Sequence, residues 1–311
     1  MMTRNFGQMN IWDEIKASFK SGSALTRLIY INLGVFVAAR LIYVIYYLLN
    51  PESLPHQFRE STFEFKYLDY LMVSADIETL IRRPWTIITY MFLHFSFLHL
   101  IFNLLVLYWF GRIYQRYFTD KQLLTTYFLG GLAGAALFVI FSNVFPGLSP
   151  DVPMLGASAA IMAIVLAISF YNPNYEIHLF FVGAVKIIYV ALVYIVLDLI
   201  QIASDNSGGH IAHLGGALYG YSFSYFMRKG KDIGTGFSNL ADRIAVTFKR
   251  QPKMKVSYKN QAKNMTDMEY NQQKHVAQEE MDRILDKIAK SGYDSLSKKE
   301  KEILFKMGNK S

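Results

Sequence analysis

Apolar residues gather into six segments, roughly 26–49, 87–110, 123–142, 156–171, 177–201 and 210–227. Most approach the ~20 residues that an α-helix needs to cross a bilayer. The fourth is short, and Gly147, Pro150 and Pro153 break the chain before Gly156, so its start is expected to dip below the membrane surface. Ahead of the first segment, Ile11, Trp12, Ile15 and Phe19 recur at helical spacing, which predicts a short amphipathic helix lying on the membrane. Residues 50–86 are too long and too patterned for a plain loop. Leu68, Leu71 and Met72, then Ile77, Leu80 and Ile81, predict short helices partly sunk in the interface.

Past residue 230 the pattern changes. Residues 229–274 are basic and lack strong apolar periodicity, which predicts a juxtamembrane linker with one amphipathic helix at 237–248. A helical hairpin follows: Val276 to Lys290, a stop at Gly292, and a second helix opened by a Ser297-x-x-Glu300 capping box. Its stripe of Met281, Ile284, Leu285 and Ile288 is answered by Ile303, Leu304 and Met307. The expected fold is an all-α membrane protein, a six-helix transmembrane bundle plus a small soluble helical hairpin. The chain then divides into an interfacial segment 1–24, a membrane domain 25–228, a linker 229–274 and a cytoplasmic hairpin 275–311.

Composition supports the membrane reading, with 52% apolar and 18% charged residues in 311, and 24 Phe and 21 Tyr among them. The absence of cysteine excludes disulfides, thiolate nucleophiles and Cys-ligated metal centres. The net charge of +8 is concentrated beside the apolar spans. A lipid bilayer therefore explains it better than nucleic acid, and no nucleic-acid partner is expected. Arg4, Lys16, Lys20 and Arg27 precede span one, Arg112, Arg116 and Lys121 separate spans two and three, and Arg228, Lys229 and Lys231 follow span six. With six spans all three clusters share one side, which puts both termini in the cytoplasm. Arg82 and Arg83 run against this, on the outer side. The N-terminus has no short apolar stretch followed by a small-residue cleavage site, so no removable signal peptide is expected. The expected location is a bacterial inner (cytoplasmic) membrane.

Four polar side chains then stand out inside apolar runs: His99, Asn103, Ser158 and His213. Such groups are costly in lipid and mark cavities or chemistry. Ser and His are the minimum nucleophile and general base, and Asn with a second His are donors for an oxyanion. His99 and Asn103 are four apart and share a helix face, about 40° around. His94 and His99, five apart, fall roughly 140° around a continuous helix. That spacing disfavours a two-His metal site, and no H-E-x-x-H is present, so neither metal nor cofactor is expected. Ser158 follows Gly156-Ala157 at a helix start, where its backbone N–H is unpaired and free to face an oxyanion. Gly216 and Gly220 lie on the His213 face of span six, and this small-x-x-x-small groove fits the small face around Ser158. Close packing would bring Ser158 and His213 to the same depth.

These runs, His94-x4-His99-x3-Asn103, Gly156-Ala157-Ser158 and Ala212-His213-Leu214-Gly215-Gly216, resemble the rhomboid intramembrane serine proteases. Pro84-Trp85-Thr86 and the glycines 130, 131 and 134 are compatible with that family, and the resemblance covers roughly residues 25–228. It implies a Ser158–His213 dyad and an oxyanion site from the Ser158 N–H and the His99 and Asn103 side chains. His94 would support the loop after span one, with Gly156, Gly216 and Gly220 as structural support. Three positions depart from the family pattern: Ala159 for a usual Gly, Met162 for an aromatic, and Gln115 for a Glu. The resemblance implies an intramembrane serine endopeptidase that cleaves single-span membrane proteins near the outer leaflet. The alternative is a catalytically weak rhomboid-like protein that binds membrane clients. No Asp or Glu is expected to orient His213. Arg40, Lys186 and Asp198 are expected to pair with one another or to snorkel, and residues 202–209 to form a flexible lid.

Overall fold

The computed structural model describes residues 16, 18–49, 62–148, 150, 152–179, 183–204, 206–248 and 267–308. It divides into two compact units, residues 1–249 and 250–311. The described residues are mostly helical (78%). Most of the interfacial helix expected at 1–24, and part of the 50–86 segment, lie outside the described residues.

In the first unit, α1 (Ala24–Leu49) buries Leu25, Leu28, Asn32 and Phe36 along one stripe, and in its second half Tyr43 and Tyr46 pack on Phe63 while Leu41, Ile42, Ile45, Leu48 and Leu49 stay exposed. A π-helical turn (Glu64–Leu68), a 3-10 turn (Asp69–Leu71), α2 (Ile77–Arg82) and α3 (Thr86–Thr89) follow, so residues 62–86 are built of short helices. Asp76 caps α2 by accepting from Thr79 N–H at 2.8 Å. Arg83 pairs with Asp69 at 2.5 Å and lies over the Tyr70 ring, while Arg82 pairs with Glu78. Each of the two arginines that opposed the charge bias therefore has a carboxylate partner.

Span two does not start at 87. A 3-10 turn (Tyr90–Phe92) and an extended break intervene, and α4 runs Phe97–Tyr114 with Ser96 as its cap, accepting from His99 N–H at 3.2 Å. The serine competes successfully with a continuing helix by satisfying a first-turn donor. Next come α5 (Asp120–Val144), opened by a Thr119/Gln122 capping box, and α6 (Ser158–Tyr171), in which every residue from Ala159 to Ser169 is buried. The fifth apolar segment is not all helix: β1 (Glu176–Leu179) pairs antiparallel with β2 (Gly183–Lys186), and only Ile187–Gln201 forms α7. This corrects the all-α expectation. The run is rich in Ile, Phe and Val, and Gly183 takes φ +87° at the start of β2, where it pairs with Leu179. After α7, α8 spans Ser207–Arg228, so Gly208 and Gly209 belong to its first turn and the connection is shorter than the expected lid. An amphipathic α9 (Thr235–Phe248) closes this unit, with Lys121 paired to Asp242 at 2.7 Å.

Among the described residues, α1, α4 and α5 are long and apolar enough to cross a membrane. Helices α6 and α7, with 14 and 15 residues, are apolar but shorter. The core centres on α6, which packs against α4, α5 and α8. There the glycines govern spacing. A Cβ at Gly216 or Gly220 would overlap the carbonyl oxygen of Ala159 or Ala163, and one at Gly134 would meet the Ala159 Cβ at 2.7 Å.

The second unit holds α10 (Asp267–Ser291), a 3-10 turn (Tyr293–Ser295) and α11 (Lys298–Gly308). Ile284 and Leu296 are buried, whereas Leu285, expected in the stripe, is half exposed; the side chain of Met307 lies outside the described residues. Gly292 (φ +75°) ends the first helix region, and the capping box forms, with Ser297 N–H donating to Glu300 at 2.7 Å. Lys287 Nζ reaches both Glu300 oxygens at 2.9 and 3.0 Å.

Two outcomes follow from this packing. Gly220→Val is expected to destabilise the chain by about 1–3 kcal/mol or more in a detergent unfolding assay, because backbone lies in the way. Gly34→Ala, where nothing lies within 4 Å, is expected to be neutral or stabilising. In the hairpin, the Lys287 contact and then the Ser297 bonds hold the Glu300 carboxyl down at about 2, from an ordinary 4.5. Its contribution is thus complete above the ordinary value and is lost as pH falls through about 2. Side-chain carbon NMR of Lys287→Met should find this titration moved up toward 4.5.

Candidate active site

Three elements fix the floor of the site. Val73 and Met154 exchange backbone hydrogen bonds at 2.8 and 3.0 Å, and Gly156 N–H donates to Tyr90 carbonyl at 2.9 Å. These bonds pin the chain entering α6. Gly156 then takes φ +126°, a conformation that L side chains rarely adopt, and turns the chain so that Ser158 becomes the first residue of α6. No side chain caps this helix. The first-turn amides, that of Ser158 included, have no partner within the helix.

Ser158 Oγ lies 2.7 Å from His213 Nε2. Residues His213, Gly216 and Gly220 share one face of α8, and the glycine contacts with Ala159 and Ala163 set the depth at which the imidazole meets the serine. From α4, His99 and Asn103 line the same cleft as Ser158 and His213. A Cβ at Gly156 would sit 3.2 Å from His99 Cε1, 3.4 Å from its Nε2 and 3.5 Å from Ser158 Oγ, so the His99 ring edge borders the serine. Asn103 is buried, and among the described residues its Nδ2 has no hydrogen-bond partner. An unpaired buried donor costs about 1–3 kcal/mol. The cleft holds about 430 Å³ and is also lined by Phe102, Met162, Tyr194 and Leu197.

The structure overturns the expectation that no acid reaches His213. Asp198 Oδ1 lies 2.8 Å from His213 Nδ1 and 2.8 Å from His210 Nδ1, and the Asp198 side chain is 8% exposed. Asp198 pairs with neither Arg40 nor Lys186; Arg40 instead lies over the Phe36 ring, 5.3 Å from its centroid. The sequence does carry a signal for both missed residues. Asp198 is the one acid in the α7 run, and His210 precedes His213 by three, on the same helix face.

His94 sits outside α4, and its ring meets that of His99 edge to face at 5.1 Å. The angular separation computed for a continuous helix therefore does not apply. Neither of its ring nitrogens has a partner among the described residues, and much of the loop it was expected to support, residues 50–61, lies outside them. Ala159 fits between Gly134 and Gly216, and Met162 lines the cleft. Gln115 donates to Asp120 Oδ1 at 2.6 Å, while Asp120 Oδ2 accepts from Ala24 N–H at 2.8 Å, which ties α1, α4 and α5 together.

Chemically, the arrangement offers a hydroxyl beside a base, with donors facing the same cleft. Asp198, His210 and His213 also present ligand atoms within 4.8 Å of one another, a set able to hold a divalent cation. In the structure those atoms are hydrogen bonded to each other, and His213 keeps its second nitrogen for Ser158.

Residues 82–230 match the rhomboid domain family, and residues 265–309 match a family of unknown function (DUF6576). The chain is 28% identical over 211 residues to RHOMBOID-like protein 12, mitochondrial, of Arabidopsis thaliana, a match covering 64% of this chain and 59% of that protein's length. Family match and relative together support a rhomboid domain at residues 82–230 of this chain.

Proposed function

We propose that the chain is an intramembrane serine endopeptidase that cuts single-span membrane proteins near the outer leaflet. The observation that carries this reading is the 2.7 Å contact between Ser158 Oγ and His213 Nε2 in the cleft that holds the unpaired Asn103 amide. His213 Nε2 takes the hydroxyl proton as Ser158 Oγ bonds to the scissile carbonyl carbon, and the carbonyl π pair becomes an oxyanion. The Ser158 N–H, the His99 ring and Asn103 Nδ2 are the donors to that oxyanion. His213 then gives its proton to the amide nitrogen as the C–N bond breaks, leaving an acyl-enzyme. Water adds to the acyl carbon with its proton passing to His213, and Ser158 leaves with that proton.

Substrate reaches the site from the lipid side. The cleft runs between α4, through His99, Phe102 and Val106, and α7, through Tyr194, Leu197 and Gln201. Phe102 (64%) and Leu197 (46%) are both exposed to the surroundings. A transmembrane helix approaching between them must unwind locally, since a regular helix satisfies its own peptide groups and hides the bond to be cut. The reading takes α1, α4, α5, α6, α7 and α8 as six spans of a membrane domain at 25–228, followed by a linker at 229–274 and the hairpin at 275–311. The three basic clusters favour both termini on the cytoplasmic side.

In liposomes carrying a tagged single-span substrate, the wild-type chain is expected to cleave, while Ser158→Ala and His213→Ala are inert. Asn103→Ala should lower kcat by about 10²–10³-fold with little change in KM, since its donor acts on the transition state. Gly34→Ala, where nothing lies within 4 Å, should leave cleavage intact. Equal cleavage by wild type and Ser158→Ala would overturn the reading. So would a wild type inert across a substrate panel, which would leave a client-binding role.

A further inference from the structure

Helix α7 carries one carboxylate in an otherwise apolar stretch, and that carboxylate is buried. Its buried residues are Ile187, Ala191 and Asp198, while Tyr189, Val193, Val196, Leu199 and Ile200 are all more than half exposed. An ionised carboxylate in such a place is costly unless donors meet it. Two do, and both meet the same oxygen: His210 Nδ1 and His213 Nδ1, each at 2.8 Å from Oδ1. Oδ2 is buried with no partner among the described residues. The two histidines are three residues apart on α8, so they grip the carboxylate from one helix face.

We propose that Asp198 is a positioning residue for the general base, the third member of a Ser158–His213–Asp198 triad, with His210 holding the carboxylate in place. This rests on the hydrolase reading above and deepens it. An Nδ1–H donated to Asp198 leaves the Nε2 lone pair directed at Ser158, the one tautomer in which His213 can accept the hydroxyl proton. Once it has accepted that proton, the imidazolium faces an anion 2.8 Å away whose side chain is 8% exposed. The proton itself stays on His213 until the leaving amine takes it; none passes to Asp198. His210 meets Asp198 through Nδ1, and the hydrogen bond to Ser158 comes from His213, so His213 is the base and His210 the tether. A purely structural tether would need only an acceptor oxygen at this position. A triad that stabilises the imidazolium also needs the negative charge.

The test uses the full-length chain in liposomes with the tagged single-span substrate. Asp198→Asn keeps shape and an acceptor but removes the charge, and is expected to lower kcat by roughly 10²–10⁴-fold with KM within about threefold. Labelling of Ser158 by a fluorophosphonate probe should slow in parallel. In wild type, nitrogen NMR of labelled histidine, with His213 assigned by the signal lost in His213→Gln, should find Nδ1 protonated and Nε2 bare. This measurement holds even if Asp198→Asn folds poorly. The proposal is overturned by a wild-type His213 protonated at Nε2. It is also overturned if Asp198→Asn cleaves and labels within twofold of wild type while Ser158→Ala is inert. Cleavage by Ser158→Ala equal to wild type would instead overturn the underlying hydrolase reading.

Discussion

Helices α6 and α8 meet backbone to backbone. The Cα atoms of Gly216 and Gly220 lie against the main chain of Ala159 and Ala163, with no room for a side chain between them. In lipid, where burial of apolar surface does not drive helices together, such contacts gain their energy from dispersion at close range. They also remove freedom of rotation and sliding, because a shift of either helix would drive a Cβ or a neighbouring side chain into backbone. His213 stands one turn before Gly216, and Ser158 directly precedes Ala159, so the same contact sets the separation of Ser158 Oγ and His213 Nε2. Gly134 of α5 packs against both partners, at Ala159 and at the Ala212 carbonyl, and makes the arrangement three-sided.

Much of this was legible in the sequence. Periodicity alone puts His99 with Asn103 and His213 with Gly216 and Gly220, and the structure places each set as the spacing predicts. The failures have common causes. Segment 87–110 reads as one helix because hydrophobicity is continuous through it, yet Ser96 caps a new helix at Phe97 and His94 falls outside. Segment 177–201 is equally apolar throughout, and hydropathy does not distinguish a strand pair from the first turns of a helix; Gly183 does. The Asp198 expectation fails for a different reason. A charge in an apolar run needs a partner, but the sequence ranks partners by charge, and Arg40 and Lys186 rank above two neutral histidines. Burial reverses that order, since α7 turns Asp198 toward α8, where His210 and His213 meet it.

The polar groups left without partners carry the last step. A membrane core that fails to satisfy a donor or acceptor loses stability for each one, so their positions are informative. Two of these among the described residues, Asn103 Nδ2 and Asp198 Oδ2, belong to side chains lining the cleft that holds Ser158. A donor already bonded within the protein would have to surrender that bond before taking up charge on a substrate. Asn103 has none to surrender, and its cost in the resting state becomes stabilisation when an oxyanion forms beside it, provided the proposed chemistry takes place there. The rigid α6–α8 contact makes that cost tolerable, because it holds the surrounding backbone in place while these groups stay unpaired.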